Sequence, residues 1–146
     1  MADEPTQAAD DAHAIVKLDA EVGAGARIWY FPDGDRPPDQ AGANGAHESL
    51  MILNVCSADA HVNLDLYWTD RPPTFGVSVV IPGERVRSLR VPWWEDPKDA
   101  DRVIVPVREQ YAIRVRSDVP VICQYGRLEL VPSFALYTTM GMSRDA

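Results

Sequence analysis

The sequence predicts an all-β protein, a jelly-roll-like antiparallel β-sandwich of about eight strands. Three observations carry this. Short apolar or alternating runs recur along the chain with turn residues between them at fairly even spacing. No internal stretch shows the period of an amphipathic helix. The segment HESLMILNVCSADAHVNLDLYWTD, His47 to Asp70, reads as a hairpin in which one strand is almost wholly apolar and the other alternates.

That hairpin is the centre of the pattern. Glu48 to Val55 is nearly all apolar, as expected of a strand covered on both faces. Ser57 to Ala60 supply the turn. From His61 to Trp68, Val62, Leu64, Leu66 and Trp68 share one face, and His61, Asn63, Asp65 and Tyr67 share the other. Before it, Arg27 to Phe31 is an aromatic strand that Pro32, Asp33 and Gly34 should end in a turn. Asp35 to Ala46 is dense in Pro, Gly, Asp and Asn and reads as an exposed loop. After it, strands are expected at Val77–Ile81, Arg85–Val91, Val103–Val107, Tyr111–Arg116, Val119–Tyr125 and Phe134–Met140. Pro106 and Pro120 suit edges or strand starts. Pro92 to Asp101 is a second irregular loop holding the adjacent Trp93 and Trp94.

At 146 residues the chain has the length of one domain. Residues 25–146 are expected to be that domain, preceded by a flexible acidic tail over 1–24. The tail holds Asp3, Glu4, Asp10, Asp11, Asp19 and Glu21 against Lys17 alone, most of the net charge of −8. Such a balance repels phosphate backbones, so nucleic acid is not an expected partner. No run reaches the 18 or so apolar residues of a membrane helix, and the N-terminus lacks the basic start and apolar block of a signal peptide. Cys56 and Cys123 do not make a disulfide framework and read as buried thiols in a reducing compartment, the cytoplasm.

The chain carries little catalytic signal. There is no Ser in a G-x-S-x-G turn, no glycine-rich phosphate loop, and neither cysteine has an evident histidine partner. A metal would have to rest on His47 and His61, with His13 in the tail, and neither a metal nor a cofactor is expected. A non-enzymatic role follows. The notable polar residues are those set among apolar neighbours. Gln124 and Arg127 come directly after VPVIC, Arg85 opens another strand, and Glu48 can partner either arginine. A half-buried arginine is costly unless paired. Two readings are open: a salt bridge bracing two sheets or two subunits, and a cleft that binds a small polar ligand. Trp93 and Trp94 offer flat faces for stacking on a sugar ring or for an interface, or they cap the sandwich.

The segments GARIWYFPDG (Gly25–Gly34), HESLMILN (His47–Asn54), DAHVNLDLYWTDRPP (Asp59–Pro73), IPGERV (Ile81–Val86), SDVPVICQYGRLE (Ser117–Glu129) and YTTMGM (Tyr137–Met142) resemble, in order and spacing, the sensory rhodopsin transducer family. The resemblance implies a small soluble cytoplasmic β-sandwich that assembles as a cyclic homotetramer. It also implies a role in signal transduction beside a membrane photoreceptor or another receptor, or the binding of small molecules, sugars among them. The matching polar positions are His47, Glu48, Arg85, Gln124 and Arg127. The acidic N-terminus, the Asp35–Ala46 loop and the Trp93-Trp94 region depart from the family's pattern.

Overall fold

The computed structural model describes residues 25–38, 45–90, 105–130 and 133–144, and every regular element in them is a β-strand. The eight strands are β1 (Ala26–Asp35), β2 (His47–Asn54), β3 (Ala60–Trp68), β4 (Thr74–Ile81), β5 (Arg85–Arg90), β6 (Gln110–Glu129), β7 (Ala135–Met140) and β8 (Met142–Arg144). All pairings are antiparallel, and they form two ladders. One runs β4-β3-β6-β1-β8, and the other runs β5-β2-β6-β7.

β6 belongs to both ladders and organises the fold. Its first half pairs with β3 as far as Ser117 and with β1 as far as Arg116, and after a register shift β1 meets it once more, at Ala26 and Val121. Its second half pairs with β2 and β7 from Ile122 onward. The expected strands Tyr111–Arg116 and Val119–Tyr125 are therefore one strand of 20 residues. Pro120 sits inside it rather than at an edge or a start. It falls at the changeover, where residues 118–120 have no ladder partner, so its missing N–H leaves no gap. The bend is packed by Trp29, whose indole N–H is shared between the carbonyls of Ala26 at 3.0 Å and Val121 at 2.9 Å. Gly25, at φ 115°, passes Val121 so closely that a Cβ would lie 2.2 Å from its carbonyl oxygen.

Other bounds shift for similar reasons. Pro32-Asp33-Gly34 does not end β1, because a register shift between Phe31 and Gly34 absorbs it as a bulge and the strand continues to Asp35. Residues 105–107 of the expected strand Val103–Val107 are irregular and lead into a turn at Arg108, φ 60°. β8 was hidden behind Gly141, where the chain steps from one ladder to the other across the ring of Phe31.

Between the layers lie Phe31, Leu50, Ile52, Leu64, Leu66, Ile81, Ile113 and Val115, all buried. In β3 the alternation is as predicted, with Val62, Leu64 and Leu66 inward. In β2 only one face is buried within the chain, by Glu48, Leu50, Ile52 and Asn54. Ser49, Met51 and Leu53 on its other face are half-exposed, although the apolar run predicts cover there too. Both cysteines are free, Cys123 buried and Cys56 half-buried. Residues 1–24, 39–44 of the first loop, and 91–104, which contain Trp93 and Trp94, lie outside the described residues.

Candidate functional site

β2 runs between two polar centres. At its far end the buried Asn54 donates to the carbonyls of Ala58 (2.8 Å), Ile81 (3.1 Å) and Pro82 (3.3 Å) and accepts from the N–H of Cys56 (3.0 Å). This knot ties the β2–β3 turn to the β4–β5 turn, and every polar atom of the amide is used. It is a structural centre.

The near end is different. Glu48 is fully buried, and strand parity points it inward between the sheets. The register sets Arg127 of β6 directly opposite Glu48, and Tyr137 of β7 directly opposite Arg127. Tyr125, two residues before Arg127, therefore shares their inward face. From the other ladder come the end of β1 and the start of β6, where Gly34 pairs with Tyr111. Glu48 Oε1 accepts from the Asp35 N–H at 2.7 Å and from the Tyr125 hydroxyl, and Oε2 accepts from the Tyr111 hydroxyl at 2.8 Å. One carboxylate thus bridges both layers.

Burial pushes the Glu48 carboxyl above its usual range, more than the bonds from Tyr125, Tyr111 and Asp35 and the charge of Arg127 pull it down. Burial also pushes both tyrosines up, and the nearby Glu48 adds to it, so they remain protonated donors. Tyr111 further contacts Trp68, ring centroids 5.9 Å apart, and Arg71 lies 4.0 Å over the Trp68 ring.

Arg127 stands at the rim of this centre with its side chain 21% exposed. Its guanidinium lies 5.5 Å from the Tyr137 ring, Nη1 is 4.0 Å from Asp35 Oδ2, and Nε is 3.8 Å from Glu129 Oε1. Both separations exceed a hydrogen bond. Arg127 Nη1 and Asp35 Oδ1 are buried, and neither has a hydrogen-bond partner among the described residues. Arg108 donates to Glu129 Oε1 at 3.2 Å, and Asp33 Oδ2 lies 3.5 Å from the Tyr137 hydroxyl. The rim thus carries Asp33, Asp35 and Glu129 around one incompletely satisfied guanidinium.

Of the five polar residues picked from the sequence, the structure brings Glu48 and Arg127 together. His47 is at the same end but points to the opposite face, with Nδ1 2.7 Å from the Gly45 carbonyl and 3.1 Å from Arg90 Nη2. Gln124 is exposed on the outer face of its ladder, because an odd step along β6 separates it from Arg127. Arg85 pairs with Asn54, about 20 Å along β2 at strand rise. There Arg85 Nη1 donates to the Glu84 carbonyl at 2.9 Å. The expected hairpin does not form: β2 pairs with β5 and β6 while β3 pairs with β4 and β6, so the β2–β3 turn carries the chain from one ladder to the other, and His61 lies beyond that turn, at the far end of β2 from His47. No group of three or more potential metal ligands occurs among the described residues. Sequence reasoning missed Tyr111, Tyr125, Asp35 and Tyr137. The parity of Tyr125 with Arg127 was visible, but the approach of β1 and the start of β6 was not.

The family model described as Anabaena sensory rhodopsin transducer matches residues 24–143. Among solved structures, Thermotoga maritima protein 1070 is similar at 31% identity and a TM-score of 0.71, over 84% of this chain and 97% of that one. The Anabaena sensory rhodopsin transducer is similar at 28% identity and a TM-score of 0.59, over 73% of this chain and 92% of that one. No curated protein matches. Together with the shared all-β architecture, the match across nearly all of residues 25–144 places this chain in the Anabaena sensory rhodopsin transducer family.

Proposed function

We propose that the chain is a non-enzymatic binding and signalling module whose polar centre at Glu48 and Arg127 takes a small polar ligand, a sugar or a sugar acid. The observation that carries this reading is the pair of buried atoms, Arg127 Nη1 and Asp35 Oδ1, without partners among the described residues, beside a carboxylate that already accepts three bonds. A buried donor and acceptor each cost free energy until something meets them. A sugar hydroxyl can accept from the first and donate to the second. A sugar acid adds a carboxylate that the planar guanidinium can grip at two points. Tyr137 supplies a ring face at the same place.

Binding there would be read out through the quaternary structure. Leu136 and Met140, on β7 beside Tyr137, are exposed, as is Val86 of β5. With Met51 and Leu53 they make an apolar strip on the outer face of the β5-β2-β6-β7 ladder, beside Gln124 and His47. A second copy of the chain is the partner this face fits, in a cyclic tetramer of the kind the family resemblance implies. A ligand that reorders the Arg127–Tyr137 row would bias how that face packs.

The test is a thermal-shift screen against glucose, galactose, glucuronate and galacturonate, with Arg127→Ala beside the wild type. Stabilisation of the wild type by one of these, lost in an Arg127→Ala protein that is still folded and oligomeric, supports the reading. An Arg127→Ala chain that unfolds to monomers makes the arginine structural.

A second reading is an adaptor docking on the cytoplasmic face of a membrane receptor, as the name of the Anabaena relative suggests for that protein. The net charge of −8 suits the Lys- and Arg-rich loops of such a face. No helix among the described residues is long and apolar enough to cross a membrane. Salt-sensitive retention by receptor-bearing membranes, lost on removal of residues 1–24, would favour the adaptor. Retention indifferent to both would oppose it.

A further inference from the structure

The outer face of the β4-β3-β6-β1-β8 ladder is basic, although the chain as a whole is acidic. Asp65 stands at an outward position of β3, between Asn63 and Tyr67, yet it is fully buried. Arg114 and Arg116 of β6 close over it. Arg114 Nε and Arg116 Nε each donate to Asp65 Oδ2 at 2.8 Å, and Arg116 Nη2 donates to Oδ1 at 3.0 Å. The Gly76 N–H completes the set at 2.9 Å, where a register shift between Leu64 and Leu66 and a φ of 76° let β4 approach. One carboxylate therefore holds two guanidiniums flat against the sheet and neutralises only one of them.

The register carries the same face across two more strands. Asn63, Arg116, Ile28 and Arg144 form one row, and Asp65, Arg114, Tyr30 and Met142 form the next. Arg144 is exposed on β8, and Arg27 is exposed just before Ile28. The three arginines of these rows, with Arg27 beside them where the chain enters β1, are opposed among the described residues by Asp65 and by Asp118, which already accepts the His61 N–H at 2.8 Å. Exposed apolar groups lie among them: Tyr30, Phe75 and Met142. Tyr67 lies under Arg114 and edge-on to Phe75. Spread guanidiniums interleaved with aromatic side chains suit an acidic segment that also carries occasional apolar residues.

The chain has such a segment joined directly to this face. Residues 1–24, outside the described residues, combine six carboxylates with Ile15, Val16, Leu18 and Val22. They lead through Gly25 into β1, which sets Ile28 between Arg116 and Arg144. Asp19 and Glu21 stand only a few residues before Ile28, and an extended chain covers about 3.3 Å per residue, so they reach the arginines without strain. We propose that the acidic segment 1–24 is the occupant of this arginine face, an internal ligand that any other anionic partner must displace.

The test uses the full-length chain labelled with 15N. It is compared with a variant in which Asp3, Asp10, Asp11 and Asp19 are changed to Asn and Glu4 and Glu21 to Gln. At about 0.02 M salt the two spectra should differ at the amides of Ile28, Tyr30 and Asn63 and at the side-chain N–H signals of Arg114, Arg116 and Arg144. At about 1 M salt, where screening acts within about 3 Å, those differences should vanish. Arg27→Gln combined with Arg144→Gln, which leaves the Asp65 bonds intact, should shrink them at low salt. Three results would overturn the proposal: differences confined to the segment itself, differences mapping to the β5 face, or differences that grow with protein concentration, which would make a second copy the occupant. Differences unchanged by the Arg27 and Arg144 replacements would overturn it as well.

Discussion

Glu48 is the residue on which the two layers meet, and its chemistry fixes a pH dependence. Its carboxyl is raised above the usual 4.5, so the folded chain holds that proton more tightly than the unfolded chain does. Its contribution to stability is complete below pH 4.5 and is lost as pH rises through the folded value. Glu48→Gln removes this dependence. Chemical denaturation from pH 4 to pH 8 should show the wild type losing stability relative to the variant as pH climbs. A constant gap would show that burial is not the dominant influence. Asp65 carries the opposite sign. Burial would raise it, but the bonds from Arg116, the Gly76 N–H and Arg114 outweigh that and hold it below its usual 3.8. Its contribution is present above pH 3.8 and is lost in acid as pH falls through the folded value. Asp65→Asn should cost about 2 kcal/mol at neutral pH, allowing for the exposed Arg116, and the deficit should close as pH falls below 3.8. Of these two acids, only Glu48 drew notice in the sequence, as an acid inside an apolar strand. Asp65 looked like an ordinary outward residue, because nothing local shows that Arg114 and Arg116, some 50 positions on, would cover it.

At the scale of elements, strands such as β2 and β3 were legible one by one, but their expected pairing as a hairpin was not, because β2 joins β5 and β6 while β3 joins β4 and β6. Strands were misread where proline or glycine serves a geometry instead of a boundary. Pro32 and Gly34 lie in a bulge, Pro120 lies at the changeover of β6 between ladders, and Gly141 lies at the step from β7 to β8. Each residue type is a fair stop signal on its own. What cancels the signal is a long-range pairing that local composition does not encode. Gly141 offers a direct check, since a Cβ there would lie 2.7 Å from the Phe31 ring and 3.0 Å from the Tyr30 carbonyl. Gly141→Ala should cost about 1–3 kcal/mol, read from the denaturation midpoint. Gly76→Ala makes a useful contrast, because a Cβ there meets nothing within 4 Å and only the φ of 76° opposes it. It should cost about 1 kcal/mol. Equal, negligible costs at both sites would contradict the packing described for β8.

On the scale of the whole molecule, the two sheets differ in what they leave uncovered. The β5-β2-β6-β7 ladder has an apolar strip on its outer face, and the outer face of the other ladder is arginine-rich. The largely apolar β2 run predicts cover on both faces, yet among the described residues only one face is buried. On the reading proposed above, a second copy supplies the other. Leu136→Asp with Met140→Asp should therefore lower the assembly state in sedimentation while leaving the strand spectrum intact. A mass unchanged by these two charges would place the interface elsewhere. The binding centre was legible only in part. Glu48 and Arg127 stood out as charges among apolar neighbours, but Tyr111 and Asp35 join them through pairings distant in sequence.

Whether Arg127 waits for a ligand is settled most directly by calorimetric titration of glucuronate and galacturonate into the wild type and Arg127→Ala. The prediction is saturable heat with the wild type and none with a folded Arg127→Ala protein. Equal heats from both, or none from either, would contradict a binding centre built on that guanidinium.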